Sequence, residues 1–503
     1  WDSRRRQYYL HHFLASQPDL NFHHPEVREA QLDNVRHWLD LGVDGLRLDV
    51  VNFYFHRADL RSNPPAVDDP ERTPTTSPDN PFSFQQHLYD ITQPENLAFI
   101  EALRRLTNDY PGVFLLGEIS DDHSIDVMAS YTQGQDRLHT AYTFELLGPN
   151  SAADYLRGVL ARIDAGLGEG WPCWALSNHD VVRCASRWGR GAEPEAFTPV
   201  AMALLLSLRG TVCLYQGEEL GLEQAEVPFD RIQDPYGVPF WPEYKGRDGA
   251  RTPMVWESGP HGGFSTGEPW LPVDPRHAER AVSFQEEDES RCLHAIRALL
   301  AWRRRQPALR KGSLSLVKDS GEMLMWRRTS EDQDLVCAFN LTDRTLKASL
   351  PFEIRRRHQV TFADGGLLAE GQLTLGPFQT FFPTSARIGS SKSEQEEVRG
   401  HQGSRPPEAD PDQDGRAARS LIGHRLERLQ PTRSAVCRPP RADPLRVRKS
   451  GLRRTQRRGS ESSHRPHGDH WRRALQLPQL QLHGSRSPSV LERARRGIRR
   501  AGI

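Results

Sequence analysis

The 503-residue chain predicts an α/β fold built on a parallel sheet, and three features of the sequence carry that prediction. Through residues 1–310, short β-type apolar runs alternate with longer stretches of helical periodicity, the pattern of repeated βα units. Each apolar run ends in a polar or charged cluster. After residue 310 the periodicity drops to two, and beyond residue 386 it disappears.

In chain order, a helix is predicted over 25–41, with Leu32, Val35, Trp38 and Leu39 on one face. A strand follows at 45–50 and ends on Asp49 and Asn52. The second strand, 113–119, comes after a helix over 96–109 and closes on Glu118. Strands at 140–146, 173–177 and 211–215 end at Glu145, at Asn178-His179-Asp180 and at Gln216-Gly-Glu-Glu219. A helix over 199–207 separates the last two strands. A further helix spans 281–304, carrying Cys292, Ala295, Ile296, Leu299, Leu300 and Trp302 on one side. Segments 323–326, 335–340, 346–350, 359–362 and 378–382 then read as short antiparallel strands. The resulting partition is 1–310 for a catalytic β/α unit, 311–386 for a C-terminal β-sandwich and 387–503 for a tail.

The tail carries 27 Lys+Arg against 12 Asp+Glu, whereas residues 1–386 carry 39 against 54. Its sole aromatic residue is Trp471, too little apolar surface to offset chain entropy, so it reads as disordered or out of frame. A basic tail can also bind nucleic acid, but that reading is the weaker one and no nucleic-acid partner is expected. No apolar run reaches the roughly 18–20 residues a membrane span needs, so no membrane partner is expected. Six cysteines without paired spacing read as buried thiols in a reducing compartment, which implies a cytoplasmic location.

Acidic groups at the ends of successive strands are the arrangement that β/α barrels use for catalysis. Arg47 lies two residues before Asp49, so both point to one side of the strand and the guanidinium favours the ionised carboxylate. Glu118 ends an apolar strand, where partial desolvation raises its affinity for a proton. Asp180 follows His179, a donor suited to a sugar hydroxyl. An ionised carboxylate beside a protonated one is what retaining glycoside hydrolysis requires.

Gly45-Leu-Arg-Leu-Asp-Val-Val-Asn52, Gly117-Glu-Ile119 and Ser177-Asn-His-Asp180 resemble the second, third and fourth conserved regions of the α-amylase family, glycoside hydrolase family 13. Gln17-Pro-Asp-Leu-Asn21 resembles the extra region ahead of them. Trp171-Pro-Cys-Trp174, Tyr215-Gln-Gly-Glu-Glu-Leu-Gly221 and Gly246-Arg-Asp-Gly-Ala-Arg-Thr-Pro-Met-Val-Trp256 look like the bacterial α-glucosidase and oligo-1,6-glucosidase branch. The resemblance covers residues 1–385. It implies a (β/α)8 TIM-type barrel, with Asp49 as nucleophile, Glu118 as acid/base and Asp180 stabilising the transition state. It also implies that Arg47, His179 and Arg251 bind the terminal glucose. Phe144 is read either as a wall of that pocket or as a core residue. Val50 sits where the family discriminates linkages, and valine there resembles enzymes that accept α-1,6 bonds; a buried strand residue is the alternative.

The family's first conserved region and inserted domain have no counterpart here, and the matching part corresponds to barrel strands four to eight. An open sheet with two unpaired edges is therefore expected. No cofactor and no metal are expected, and a small oligosaccharide is the expected partner. Two other functions fit the same motifs: a transglucosylase or sucrose-isomerising enzyme, and an inactive fragment or non-catalytic scaffold.

Overall fold

The computed structural model describes residues 1–67, 81–358 and 364–385. The predicted strand at 359–362, the tail at 387–503 and Cys437 lie outside these residues. Helix α1 (Pro25–Asp40) starts at a proline in its first turn and leads into strand β1 (Gly45–Leu48). The order continues α2 (Glu95–Asn108), β2 (Phe114–Ile119), α3 (Ser124–Thr132), β3 (Thr140–Thr143), α4 (Ala153–Gly166) and β4 (Cys173–Trp174). After β4 come α5 (Cys184–Gly189), α6 (Pro194–Ser207) and β5 (Thr211–Val212). Strands β1, β2 and β3 pair parallel in that order, β4 pairs parallel with β5, and a bridge between Ala141 and Pro172 links the two sets. The spatial order thus follows the sequence order without reversal, as in a barrel and unlike a doubly wound sheet. Among the described residues no strand pairs with the outer edge of β1 or of β5.

Several predicted strands are shorter in the structure: β3 stops at Thr143, β4 at Trp174 and β5 at Val212, each before the polar residue expected to end it. Trp38, assigned to the inner face of α1, is 54% exposed, while Leu39 is buried. The single helix predicted over 281–304 is broken. It consists of α8 (Val282–Glu287) and α9 (Cys292–Arg304), preceded by the short α7 (Pro275–Ala278). Gln285 accounts for part of this, since its side chain accepts from Leu293 N at 3.1 Å and donates to Leu220 O at 2.9 Å. Of the five cysteines described, Cys213 is exposed and the other four are buried.

The core gathers around α6, which is buried on every side from Phe197 to Ser207, as an all-apolar helix must be. α9 packs along it through Cys292, Ile296 and Leu299. After α10 (Pro307–Lys311) the chain forms β6 (Ser313–Leu316), β7 (Leu324–Thr329), β8 (Asp334–Asn340), β9 (Leu346–Ser349) and β10 (Ile354–His358). It ends with β11 (Leu367–Ala369), β12 (Gln372–Leu375) and β13 (Gln379–Ser385). A five-stranded antiparallel sheet, β10-β13-β8-β7-β6, faces a three-stranded one, β11-β12-β9, across Met325, Ala338, Leu373, Leu375 and Phe381. Trp326, Phe339 and Phe382 extend the core of α6 into the larger sheet. Arg328 is fully buried and donates to the carbonyls of Ser207, Leu309, Gly312 and Ser313. Burial pushes its guanidinium down to about 10.

Candidate active site

The chain leaves β1 at Leu48, and Val50 adopts φ 33°, the left-handed region. For a β-branched residue that backbone costs on the order of 1–3 kcal/mol and persists only where neighbours impose it. Here the neighbour is Glu118. Its side-chain Oε2 accepts from the Val50 amide at 3.1 Å, and its backbone carbonyl accepts from the Val51 amide at 2.9 Å. Asn52, wholly buried, staples the same loop by donating to Ser120 O at 2.9 Å and Thr92 Oγ1 at 2.8 Å. Gly117 is needed beside them, because a Cβ there would meet Leu138 Cδ1 at 2.6 Å and Val51 Cγ1 at 2.9 Å. Val50 is therefore a strained turn residue, and its alternative reading as a buried strand residue does not hold.

Arg47 connects two acids. Its Nη2 lies 2.8 Å from Glu118 Oε2, and its Nη1 donates to Asp49 Oδ1. The Asp49 side chain is 70% exposed, whereas that of Glu118 is 3% exposed. Burial raises the affinity of Glu118 for a proton; the Arg47 charge, the Val50 amide and the Tyr142 hydroxyl oppose it. The two carboxyls thus differ in environment in the way a proton donor and a charged nucleophile differ.

The third acid lies after β4. Asn178 Oδ1 accepts from the Asp180 amide at 2.8 Å and fixes the turn. Asp180 Oδ1 accepts from Arg247 Nη1 at 3.0 Å and from Arg251 Nη2 at 2.7 Å. Arg251 Nε also reaches the His179 carbonyl at 2.7 Å, and the His179 ring lies 3.3 Å from Asp180 Oδ2. Burial holds His179 below the usual histidine range, with Asp180 opposing and with Arg47 and Arg251 reinforcing the effect. The charges of Arg47 and Asp49 also act on that ring, Arg47 lowering and Asp49 raising its affinity for a proton.

Of the residues singled out in the sequence, the structure joins Arg47, Asp49, Glu118 and Val50 in one cluster and His179, Asp180 and Arg251 in another. Phe144 is partly buried and packs against the cluster of Tyr142, Leu147, Cys173 and Ala175. Glu145, another strand-end acid, pairs at 3.1 Å with Arg162 and is buried away from solvent. Two groups were missed. Tyr142 stands opposite Glu118 in the β2–β3 register, and its hydroxyl donates to Glu118 Oε1 at 2.9 Å. Arg247 spans Asp180 and Asp234, with Nε 2.9 Å from Asp234 Oδ2. Its place four residues before Arg251 was a usable signal, whereas Tyr142 looked like one more apolar strand residue. Among the described residues no three histidine, cysteine or acidic side chains gather to hold a metal, and no helix is long and apolar enough to cross a membrane.

A sequentially ordered parallel sheet with acids at its carboxyl-end face defines a β/α-barrel protein. The chain belongs to the α-amylase family: the model of the alpha-amylase catalytic domain matches residues 1–312. It is 46% identical over 356 residues to a probable alpha-glucosidase of Rhizobium meliloti, covering 70% of this chain and 65% of that one. An oligo-1,6-glucosidase of Halalkalibacterium halodurans is 30% identical over 390 residues, covering 70% of this chain and 66% of the relative. The chain therefore spans about two thirds of the length of these curated relatives. Among solved structures, the alpha-glucosyl transfer enzyme XgtA matches with a TM-score of 0.72 and 49% identity, over 75% of this chain and 71% of that one.

Proposed function

We propose that this site cleaves α-glucosidic bonds at the non-reducing end of small maltose-type or isomaltose-type oligosaccharides, with retention of configuration. The observation that carries the reading is Arg47, one guanidinium bound to both the exposed Asp49 and the buried Glu118. Asp49 attacks the anomeric carbon while Glu118 gives its proton to the leaving oxygen, and a glucosyl ester on Asp49 results. Glu118, now ionised, takes a proton from water as that water attacks the same carbon, which frees α-glucose and restores Asp49. Asp180, held by Arg247 and Arg251, accepts hydrogen bonds from sugar hydroxyls as charge develops on the ring. His179 and Arg47 complete the binding of the same glucose, and the loop strained at Val50 borders the bond to be cut. None of these steps calls for a cofactor, and we assign the activity to the cytoplasm.

The 49% identity to an alpha-glucosyl transfer enzyme supports a second outcome on the same intermediate: a sugar hydroxyl replaces water and the glucosyl group is transferred. Incubation with p-nitrophenyl α-glucoside, whose leaving group is not a sugar, followed by NMR of the earliest products, tests both. Hydrolysis yields α-glucose first, transfer yields new oligosaccharides with α linkages, and β-glucose as first product overturns the mechanism.

A further inference from the structure

We propose that Arg183 is a positioning residue for the Arg251–Asp180 pair, bracing the loop after β4 against the loop that carries Arg251. The inference rests on the reading above for its kinetic consequences, though not for its geometry. Arg183 lies three residues beyond Asp180 and is 1% exposed. Within the described residues no carboxylate stands within 4.0 Å of its guanidinium, so a buried cation is kept without a direct ion-pair partner. Such a group is costly unless its donors are used.

Two of its nitrogens donate to backbone, and the third, Nε, is buried without a partner among the described residues. Nη1 donates to Gln216 O at 2.7 Å, and Nη2 donates to Ala250 O at 3.0 Å. The guanidinium lies over the Tyr215 ring, 5.1 Å from its centroid, and the Tyr215 hydroxyl donates to the same Ala250 carbonyl at 2.8 Å. Ala250 ends the 3₁₀ turn Asp248–Ala250, and the next residue is Arg251, whose amide donates back to Asp248 O at 2.9 Å. A carbonyl held by two donors thus fixes the peptide from which the Arg251 side chain departs toward Asp180. A planar fork can reach two carbonyls on different loops at once, and a lysine ammonium cannot reproduce that geometry.

Arg183→Lys is expected to lower kcat/KM for p-nitrophenyl α-glucoside by about tenfold, with circular dichroism unchanged. Tyr215→Phe, which keeps the ring and removes only the second donor to Ala250, is expected to lower it by about threefold. If Arg183 acts through Arg251, Arg183→Lys adds little to the loss already caused by Arg251→Lys; a structural role elsewhere makes the two losses multiply. Crystal structures of both single variants supply an arm independent of turnover. The Arg251–Asp180 contact should lengthen beyond hydrogen-bonding distance in Arg183→Lys. An unchanged contact, or multiplicative losses, overturns the inference. Should Arg183→Lys fail to fold, Tyr215→Phe decides on the same two readouts. An inactive parent chain would refute the proposed function and leave the crystallographic arm to decide this one.

Discussion

The Tyr142 hydroxyl donates to Glu118 Oε1 at 2.9 Å while it accepts from Arg47 Nη2 at 2.7 Å. The phenol therefore stands between the buried acid and the cation that binds it, on the strand next to Glu118. Its donor favours the ionised form of Glu118 and so restrains the upward shift that burial imposes.

Tyr142→Phe should push Glu118 further up. A proton donor must be protonated, so the alkaline limb of the pH profile of kcat/KM is expected to move to higher pH. The maximal rate should fall about tenfold, in keeping with the loss of a hydrogen bond to a charged group. A limb that stays in place or moves down would show that Glu118 is not the titrating acid.

The three carboxylates should be separable from stability. Asp49→Ala, Glu118→Gln and Asp180→Asn are each expected to lower kcat/KM by about three orders of magnitude, roughly 4 kcal/mol of transition-state stabilisation. The denaturation midpoint of Asp49→Ala should hardly move, because its side chain is 70% exposed. Retention of a tenth of the activity in that variant would exclude Asp49 as nucleophile.

Asn52 is expected to behave in the opposite way. Asn52→Ala removes bonds to Ser120 and Thr92 from a wholly buried position, a loss of about 2–4 kcal/mol in chemical denaturation. The same loops position Asp49 and Glu118, so activity should drop as well. A variant as stable as the parent would mean that Asn96, which donates to Val51 O at 2.6 Å, suffices to hold the loop.

Glu218 offers a pH test. Burial pushes it up to about 7, opposed by the hydrogen bond from the Tyr215 amide at 2.9 Å and by the charges of Arg183 and Arg187. Its folded-state value lies above the unfolded 4.5, so the folded form binds the extra proton between the two. The stability this contributes is complete below 4.5 and is lost as pH rises through 7. Glu218→Gln, which mimics the protonated form, should therefore gain on the parent between pH 5 and pH 8, by up to about 3 kcal/mol. A constant difference between the two proteins across that range would rule out a buried, titrating Glu218.

Period and punctuation in the sequence determined much of this protein. The alternation of apolar runs and helical stretches specified five parallel strands in order, because burial on both faces of such a sheet leaves a continuous apolar signature. Polar residues at or near the carboxyl ends of the apolar runs marked Asp49, Glu118 and Asp180, the end at which β/α barrels carry their catalytic groups. Tertiary structure alone decided the rest. Tyr142 meets Glu118 only through strand register, and Arg183 meets Ala250 only across 67 residues of chain. The left-handed turn at Val50 is imposed by Glu118, 68 residues away, and nothing in the valine itself announces it. Local propensity governs where an element begins and ends, whereas hydrogen bonds between distant loops govern where a carboxylate points.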